Sequence, residues 1–222
     1  MNPGSGPAQD PNEPFDLVLA DGTPTGRTKP RAAVHRDGDW HRSVHVWIAG
    51  TAESGPFLTF QRRSPAKDTW PGRLDATVGG HFGAGEGVAE ALREVEEELG
   101  VAPPPAALRR LGVRVCANEG QPAVLDRELQ SVLLWIDDRP LAAFRPHPAE
   151  VDALVRFPLP PLLDFLVGDT PTIEGALLRT GTARPEPAAF ASEAFIPTVD
   201  GYFYRVAIAA AAALRGERHV AV

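Results

Sequence analysis

One run of residues limits this chain more than any other: Gly79-Gly80, a loop holding Gly83 and Gly85, and a helix-patterned stretch from Gly87 to Leu99. Val88, Leu92, Val95 and Leu99 recur at helical spacing. Gly100 is a natural stop, and the prolines at 103 to 105 bar continuation. Each helical residue advances about 100°, so Glu94, Glu97 and Glu98 share one stripe, with Glu90 a turn earlier and Glu96 off it. Carboxylates at neighbour spacing repel one another and weaken a helix. A divalent cation turns that repulsion into binding, and an all-oxygen donor set suits Mg²⁺ or Mn²⁺. The stripe alone also describes a solvated acidic face. The strand running into Gly79-Gly80 and the glycine-rich loop after it set it apart.

Around this helix, strands are expected at Phe15–Leu19, Val44–Ile48, Phe57–Gln61, Leu74–Val78, Val113–Cys116, Ser131–Ile136 and Leu154–Phe157. The second and third read as neighbours joined by a hairpin-like loop. Gly26–Pro30 reads as a turn-rich stretch, and residues 168–200, rich in Pro, Thr and Gly, as long loops. Further helices are expected at Leu162–Val167 and Tyr202–Leu214. Residues 1–13 read as a flexible tail and 14–222 as one domain with a C-terminal helical extension. Strands before and after one long helix predict an α/β or α+β mixed sheet.

Lys and Arg number 22 against 29 Asp and Glu, a net charge of -7, which opposes a nucleic acid polymer as partner. A local cluster of bases still suits a small anion. Cys116 is the only cysteine, so neither an intrachain disulfide nor a cysteine zinc cluster can form. The longest apolar run, Val206–Leu214, is too short to cross a bilayer, and the first residues hold no hydrophobic signal core. A cytoplasmic protein with no membrane partner is the expectation. The alanine-rich terminal helix has two packing options, its own sheet or a second copy in a homodimer.

The stretch from Gly80 to Val101 resembles the Nudix box, G-x5-E-x7-R-E-U-x-E-E-x-G-U with U aliphatic. Arg93-Glu94-Val95, Glu97-Glu98 and Gly100-Val101 match its second half, and Gly80 with Glu86 its first. Only six residues separate Glu86 from Arg93 where the box has seven. The resemblance implies a Nudix fold, a mixed β-sheet sandwiched between helices. It also implies Glu94, Glu97 and Glu98 as ligands of Mg²⁺ or Mn²⁺, with Arg93 holding them in place.

A second resemblance covers roughly residues 14–165. Thr25-Gly26-Arg27-Thr28-Lys29-Pro30-Arg31, then His35, then His41-Arg42-Ser43-Val44-His45-Val46-Trp47 is similar to the N-terminal part of isopentenyl-diphosphate isomerases. Gln61-Arg62-Arg63 with Lys67 and Trp70-Pro71-Gly72 is similar too, as is Asp126-Arg127-Glu128. It implies a second metal, Mn²⁺ or Zn²⁺, on His35, His41, His81, Asp126 and Glu128. It also implies a small-molecule diphosphate on Arg31, Arg63 and Lys67, with Gly80 beside them. The isomerases carry a catalytic cysteine directly before Gly-His, where this chain has Gly79. The resemblance therefore implies isomerase-type architecture with hydrolase chemistry: cleavage of a diphosphate linkage in a nucleoside diphosphate derivative or a small organic diphosphate, isoprenoids included. The base that activates water is left open among Glu97, Glu98, Glu128 and Glu150. The competing readings are an isomerase and a non-catalytic binding module.

Overall fold

A computed structural model describes residues 10–67, 69–121 and 124–222. In chain order the elements are β1 Pro14–Val18, β2 Pro24–Pro30, α1 Arg31–Asp37, β3 Trp40–Ala52, β4 Gly55–Arg63, β5 Leu74–Asp75, β6 Val78–His81, α2 Val88–Ala91 and α3 Arg93–Leu99. They continue with β7 Leu108–Gln121, β8 Val124–Ile136, β9 Val151–Pro158, α4 Leu159–Leu166, β10 Thr172–Arg179, β11 Glu186–Ala191 and α5 Tyr202–Leu214.

The central sheet runs β11-β10-β9-β4-β3-β8-β7, with β5 on β4 and β6 on β3. β3 and β8 pair in parallel and β3 and β4 antiparallel, so the sheet is mixed. Alternation along β3 sorts its two faces. Val44, Val46 and Ile48 pack with Val78 against Ala91, Val95 and Leu99 of α2 and α3. Trp47 and Ala49 join Phe60, Leu134 and Phe157 against Leu162, Phe165, Phe203 and Val206 of α4 and α5. The sheet is thus sandwiched between helices, as the Nudix resemblance implied. The alanines of α5 serve this packing: Ala207, Ala209, Ala210 and Ala213 are buried in the same cluster, where small side chains let the helix approach the aromatic layer. α5 packs on its own sheet.

Several local expectations change. The helix over 87–99 is broken at Leu92 into α2 and α3, and Val88, expected on its apolar stripe, is exposed. Glu90 leaves the acidic stripe, because its Oε2 accepts the Gly87 N–H at the start of α2. The turn-rich stretch 26–30 belongs to β2, which pairs with β1. The strand at 74–78 divides into β5 on β4 and β6 on β3. Loops 168–200 contain the β10–β11 hairpin, whose Ile173, Leu177 and Phe190 point into the core. Pro187 is tolerated there because β11 is the outermost strand. Of the N-terminal tail, residues 1–9 lie outside the described residues. Further on, the Glu13 carbonyl accepts the Arg31 N–H, and that of Pro11 accepts the Ala32 N–H.

The site is placed by a change of partner. β3 pairs with β4 from Ile48 to Ala52, and with β6 from Ser43 to Val46. Between β4 and β6 the sheet opens, and the polar ends of β3, β6, β7 and β8 line the opening.

Candidate active site

Register brings together residues scattered through the chain. His41 lies opposite Glu128, and Ser43 lies between Gln130 on β8 and His81 on β6. Neighbours in register share a face, so His41, His81 and Glu128 converge. Helix α1 then adds His35, which is buried on a helix. His35, His41, His81 and Asp126 each offer a donor atom, all within 4.8 Å of one another. Asp126 Oδ1 stands 3.9 Å from His35 Nε2 and 3.7 Å from His41 Nε2. Glu128 Oε1 stands 3.7 Å from His41 Nε2 and 3.0 Å from His81 Nε2.

The chemistry of this set fits a cation. The His41 Nδ1–H donates to the Asp39 carbonyl at 3.0 Å, which turns the Nε2 lone pair inward. That Nε2 is buried without a hydrogen-bond partner. Burial pushes the His41 and His81 pKa values down, so both imidazoles are neutral; His41 presents a bare Nε2, while His81, whose Nδ1 accepts from Arg31, carries its proton on the Nε2 that faces Glu128. Burial opposes ionisation of Glu128, but its hydrogen bond from His81 holds it well below the usual carboxylate range. The Phe15 ring stacks on His41 and His81 and closes one side. Neutral imidazoles with carboxylates suit Mn²⁺ or Zn²⁺ better than Mg²⁺.

The carboxylate helix is organised around Arg93, which reaches Glu86 at 2.6 Å, Glu94 at 3.5 Å and Glu97 at 3.8 Å. Glu86 also accepts the Gly83 N–H at 2.8 Å, so the shortened spacing still brings Glu86 onto Arg93. Glu98 is fully buried, with Gln61 Nε2 at 3.3 Å and Lys67 Nζ at 3.8 Å. Burial pushes its pKa up to about 8. Burial and then the neighbouring Glu97 push Glu94 up to about 7. Glu97 is exposed and Glu150 pairs with Lys67.

Arg31, Arg63 and Lys67 are buried, and all three line one cleft of about 170 Å³ with Gly79, Gly80, His81 and Glu128. Each already has a polar neighbour. Arg31 donates to His81 Nδ1 at 2.9 Å, Arg63 to Asp75 at 3.2 Å, and Lys67 pairs with Glu98 and Glu150. Among the described residues, Glu94, Glu97, Glu98 and Glu150 do not line this cleft. Lys67 and Gly80 stand at both places. A Cβ at Gly80 would meet Glu94 Cγ at 2.3 Å, so glycine there lets β6 touch the helix. Gly80→Ala is expected to cost about 1–3 kcal/mol through overpacking and to displace the Glu94 carboxylate. Thermal denaturation and divalent-cation affinity measured together check this.

Sequence reasoning missed other walls of the cleft: His45, Trp70, Arg114, Gln130 and Phe203. Trp70 has φ 48°, rare for a bulky residue, and its buried indole Nε1 has no hydrogen-bond partner. His45 carried a usable signal, since it continues the polar alternation His41–Ser43–His45 on one face of β3. Cys116, remote from Gly79 in sequence, also lines the cleft, across from Glu128 on the neighbouring strand. Burial pushes its thiol up to about 12.

A NUDIX domain profile matches residues 39–172. The chain belongs to the Nudix family. It is 39% identical over 165 residues to Nudix hydrolase 3 of Arabidopsis thaliana, covering 72% of this chain and 21% of that protein. It is 31% identical over 143 residues to a Nudix hydrolase of Clostridium acetobutylicum, covering 62% of this chain and 66% of that one. The chain thus spans less than two thirds of either relative. A crystal structure from Deinococcus radiodurans shares the fold with a TM-score of 0.54 at 24% identity, over 78% of this chain and 93% of that one. Among the described residues, no helix of this Nudix protein is long and apolar enough to cross a membrane.

Proposed function

We propose that this Nudix protein is a metal-dependent hydrolase of the isomerase-like branch, cleaving a diphosphate linkage in a small organic diphosphate or a nucleoside diphosphate derivative. The observation that carries the reading is the joining of two sets of groups at Lys67 and Gly80: the Glu94–Glu98 helix and a cleft walled by Arg31, Arg63 and Lys67. Glu94, Glu97 and Glu98 would hold Mg²⁺ or Mn²⁺. A divalent ion bound there neutralises phosphate charge and lowers the pKa of an attacking water. Arg93 holds the carboxylates in place. Arg31 and Arg63 offer planar forks of donors to phosphate oxygens and Lys67 a point charge. Glu97, Glu98, Glu128 and Glu150 are the candidates to accept the proton from water. Ile196, Pro197, Val199 and Phe203 also wall the cleft and supply an apolar surface for the organic group.

The convergence of His35, His41, His81, Asp126 and Glu128 supports the isomerase-like branch and a second metal, Mn²⁺ or Zn²⁺. His41→Ala and His81→Ala are expected to lower bound transition metal in the purified protein by about one equivalent. Unchanged content on elemental analysis would refute that site, while the hydrolase reading, which rests on the glutamates, would stand.

A hydrolysis screen with Mg²⁺ and with Mn²⁺ tests the function. Its substrates are nucleoside di- and triphosphates, nucleotide sugars, dinucleotide cofactors and isoprenoid diphosphates. Turnover that vanishes with chelator is expected, and no turnover of any of them would sink the reading. Isopentenyl diphosphate is expected to yield no dimethylallyl diphosphate, because Gly79 has no proton to transfer. Cys116 is a poor replacement, since burial holds its thiol protonated and β8 and β3 lie between its strand and that of Gly79.

A further inference from the structure

Helix α5 reaches the cleft through one buried polar chain. The Trp47 Nε1–H donates to Tyr202 Oη at 2.9 Å, and Tyr202 Oη lies 3.0 Å from His45 Nδ1. An indole can only donate, so the tyrosine oxygen accepts there, and among the described residues the tyrosine proton has no acceptor but His45. His45 Nδ1 is then the acceptor, and the neutral ring carries its proton on Nε2. All three residues are buried, at 0% exposure for Trp47 and Tyr202 and 8% for His45. Such a chain with each donor and acceptor used holds a ring in one orientation.

The free end of the ring faces the cleft, which His45 helps to line. His45 sits opposite Gly79 in the β3–β6 register. A Cβ at residue 79 would stand 3.6 Å from His45 Cδ2 and 3.7 Å from Nε2, so any larger side chain there covers the ring. Glycine at 79 removes that cover. Arg63 and Arg114 line the same cleft, as do the carboxylates Asp75 and Glu128, so the His45 N–H opens among groups of both signs.

We propose that His45 is a substrate-binding residue, donating its Nε2–H to an oxygen of the bound diphosphate, and that Tyr202 on α5 is the positioning residue that fixes this tautomer. This rests on the diphosphate-binding reading above. A neutral donor adds no charge to a cleft that already holds Arg31, Arg63 and Lys67 beside Asp75 and Glu128. It selects for an acceptor at one place, so its loss weakens ground-state binding more than turnover.

The test uses the full chain and methylenediphosphonate with Mg²⁺, a diphosphate analogue that cannot be hydrolysed. In ¹⁵N spectra of the histidine rings, His45 is expected as the Nε2–H tautomer, with that signal moving on addition of the analogue. Calorimetric titration is expected to show about tenfold weaker binding for His45→Phe, partial recovery for His45→Gln, and weaker binding for Gly79→Val with the tautomer unchanged. Tyr202→Phe is expected to release the tautomer and weaken binding in the same direction. With a substrate from the screen, His45→Phe should raise KM about tenfold with kcat within about threefold. A His45 signal of the Nδ1–H form, or analogue affinity within twofold of wild type in a folded His45→Phe, overturns the proposal. Failure of wild type to bind the analogue overturns it as well. A wild-type chain that binds the analogue through His45 but hydrolyses nothing would leave this proposal standing and remove the hydrolase reading.

Discussion

A Glu98→Gln variant is expected to keep the fold and lose hydrolysis by about 10²–10³-fold, the scale on which an enzyme loses a group that stabilises developing charge. The substitution preserves shape. Glu98 is fully buried, and burial pushes its pKa up to about 8, so without a cation the side chain is mostly neutral near pH 7. Glutamine copies that neutral form. It also leaves Lys67 with a partner, because Lys67 pairs with Glu150 as well. The ion-free thermal midpoint should therefore stay within a few degrees of wild type. What disappears is the carboxylate that a divalent cation requires. Glu97→Gln is expected to lower activity by orders of magnitude as well, and with a smaller effect on the fold, since Glu97 is exposed and only 3.8 Å from Arg93. Full activity of either purified variant would sink the assignment of the helix carboxylates, whereas loss of activity together with loss of structure in Glu98→Gln would assign that residue a packing role.

The carboxylate helix was legible because its signal is local. Helical spacing, a glycine stop and three prolines lie within one short run, and each acts through backbone geometry that needs no distant partner. The break at Leu92 was not legible. Leu92 is a good helix former, and nothing in its local sequence marks the interruption. The β10–β11 hairpin was hidden for a related reason. Its Pro and Gly residues signal turns, and only the sheet edge beside β9 makes a strand of them.

The histidine centre shows a different limit. His35, His41, His81 and Asp126 come from α1, β3, β6 and β8, and their meeting depends on the parallel β3–β8 register. No spacing rule carries that information. The resemblance to the isomerases named these residues together as an expectation. The same resemblance covers His45 without giving it a role and does not reach Tyr202, and the two meet across 157 positions. From the sequence, Gly79 marks only a missing thiol, and the fold shows that its small size also opens the imidazole beside it.

Between about pH 7 and 8.5, the ion-free protein is expected to lose stability as pH rises, and divalent cations are expected to restore it most at the alkaline end. Glu94 and Glu98 have folded pKa values raised to about 7 and about 8 by burial, while the unfolded chain releases these protons near the ordinary value of 4.5. In this window the native state holds more protons than the unfolded state, so the slope of unfolding free energy with pH is negative. The buried histidines act in the opposite sense. Their pKa values are lowered from 6.5, so they favour the native state as pH rises, but only below about 6.5, where the unfolded chain would bind protons. Above pH 7 they are neutral in both states and drop out. One proton retained across one pH unit is worth about 1.4 kcal/mol. For a chain of this size that is a fall of about 3–6 °C in the thermal midpoint. Cations bind the ionised carboxylates, so saturating Mg²⁺ or Mn²⁺ should raise the midpoint more at pH 8.5 than at pH 7, and should do so much less in Glu98→Gln. Thermal scans with chelator and with each cation across this range read both slopes. A midpoint that rises with pH in chelator, or a cation shift of equal size in Glu98→Gln, would remove the helix carboxylates as the groups that bind it.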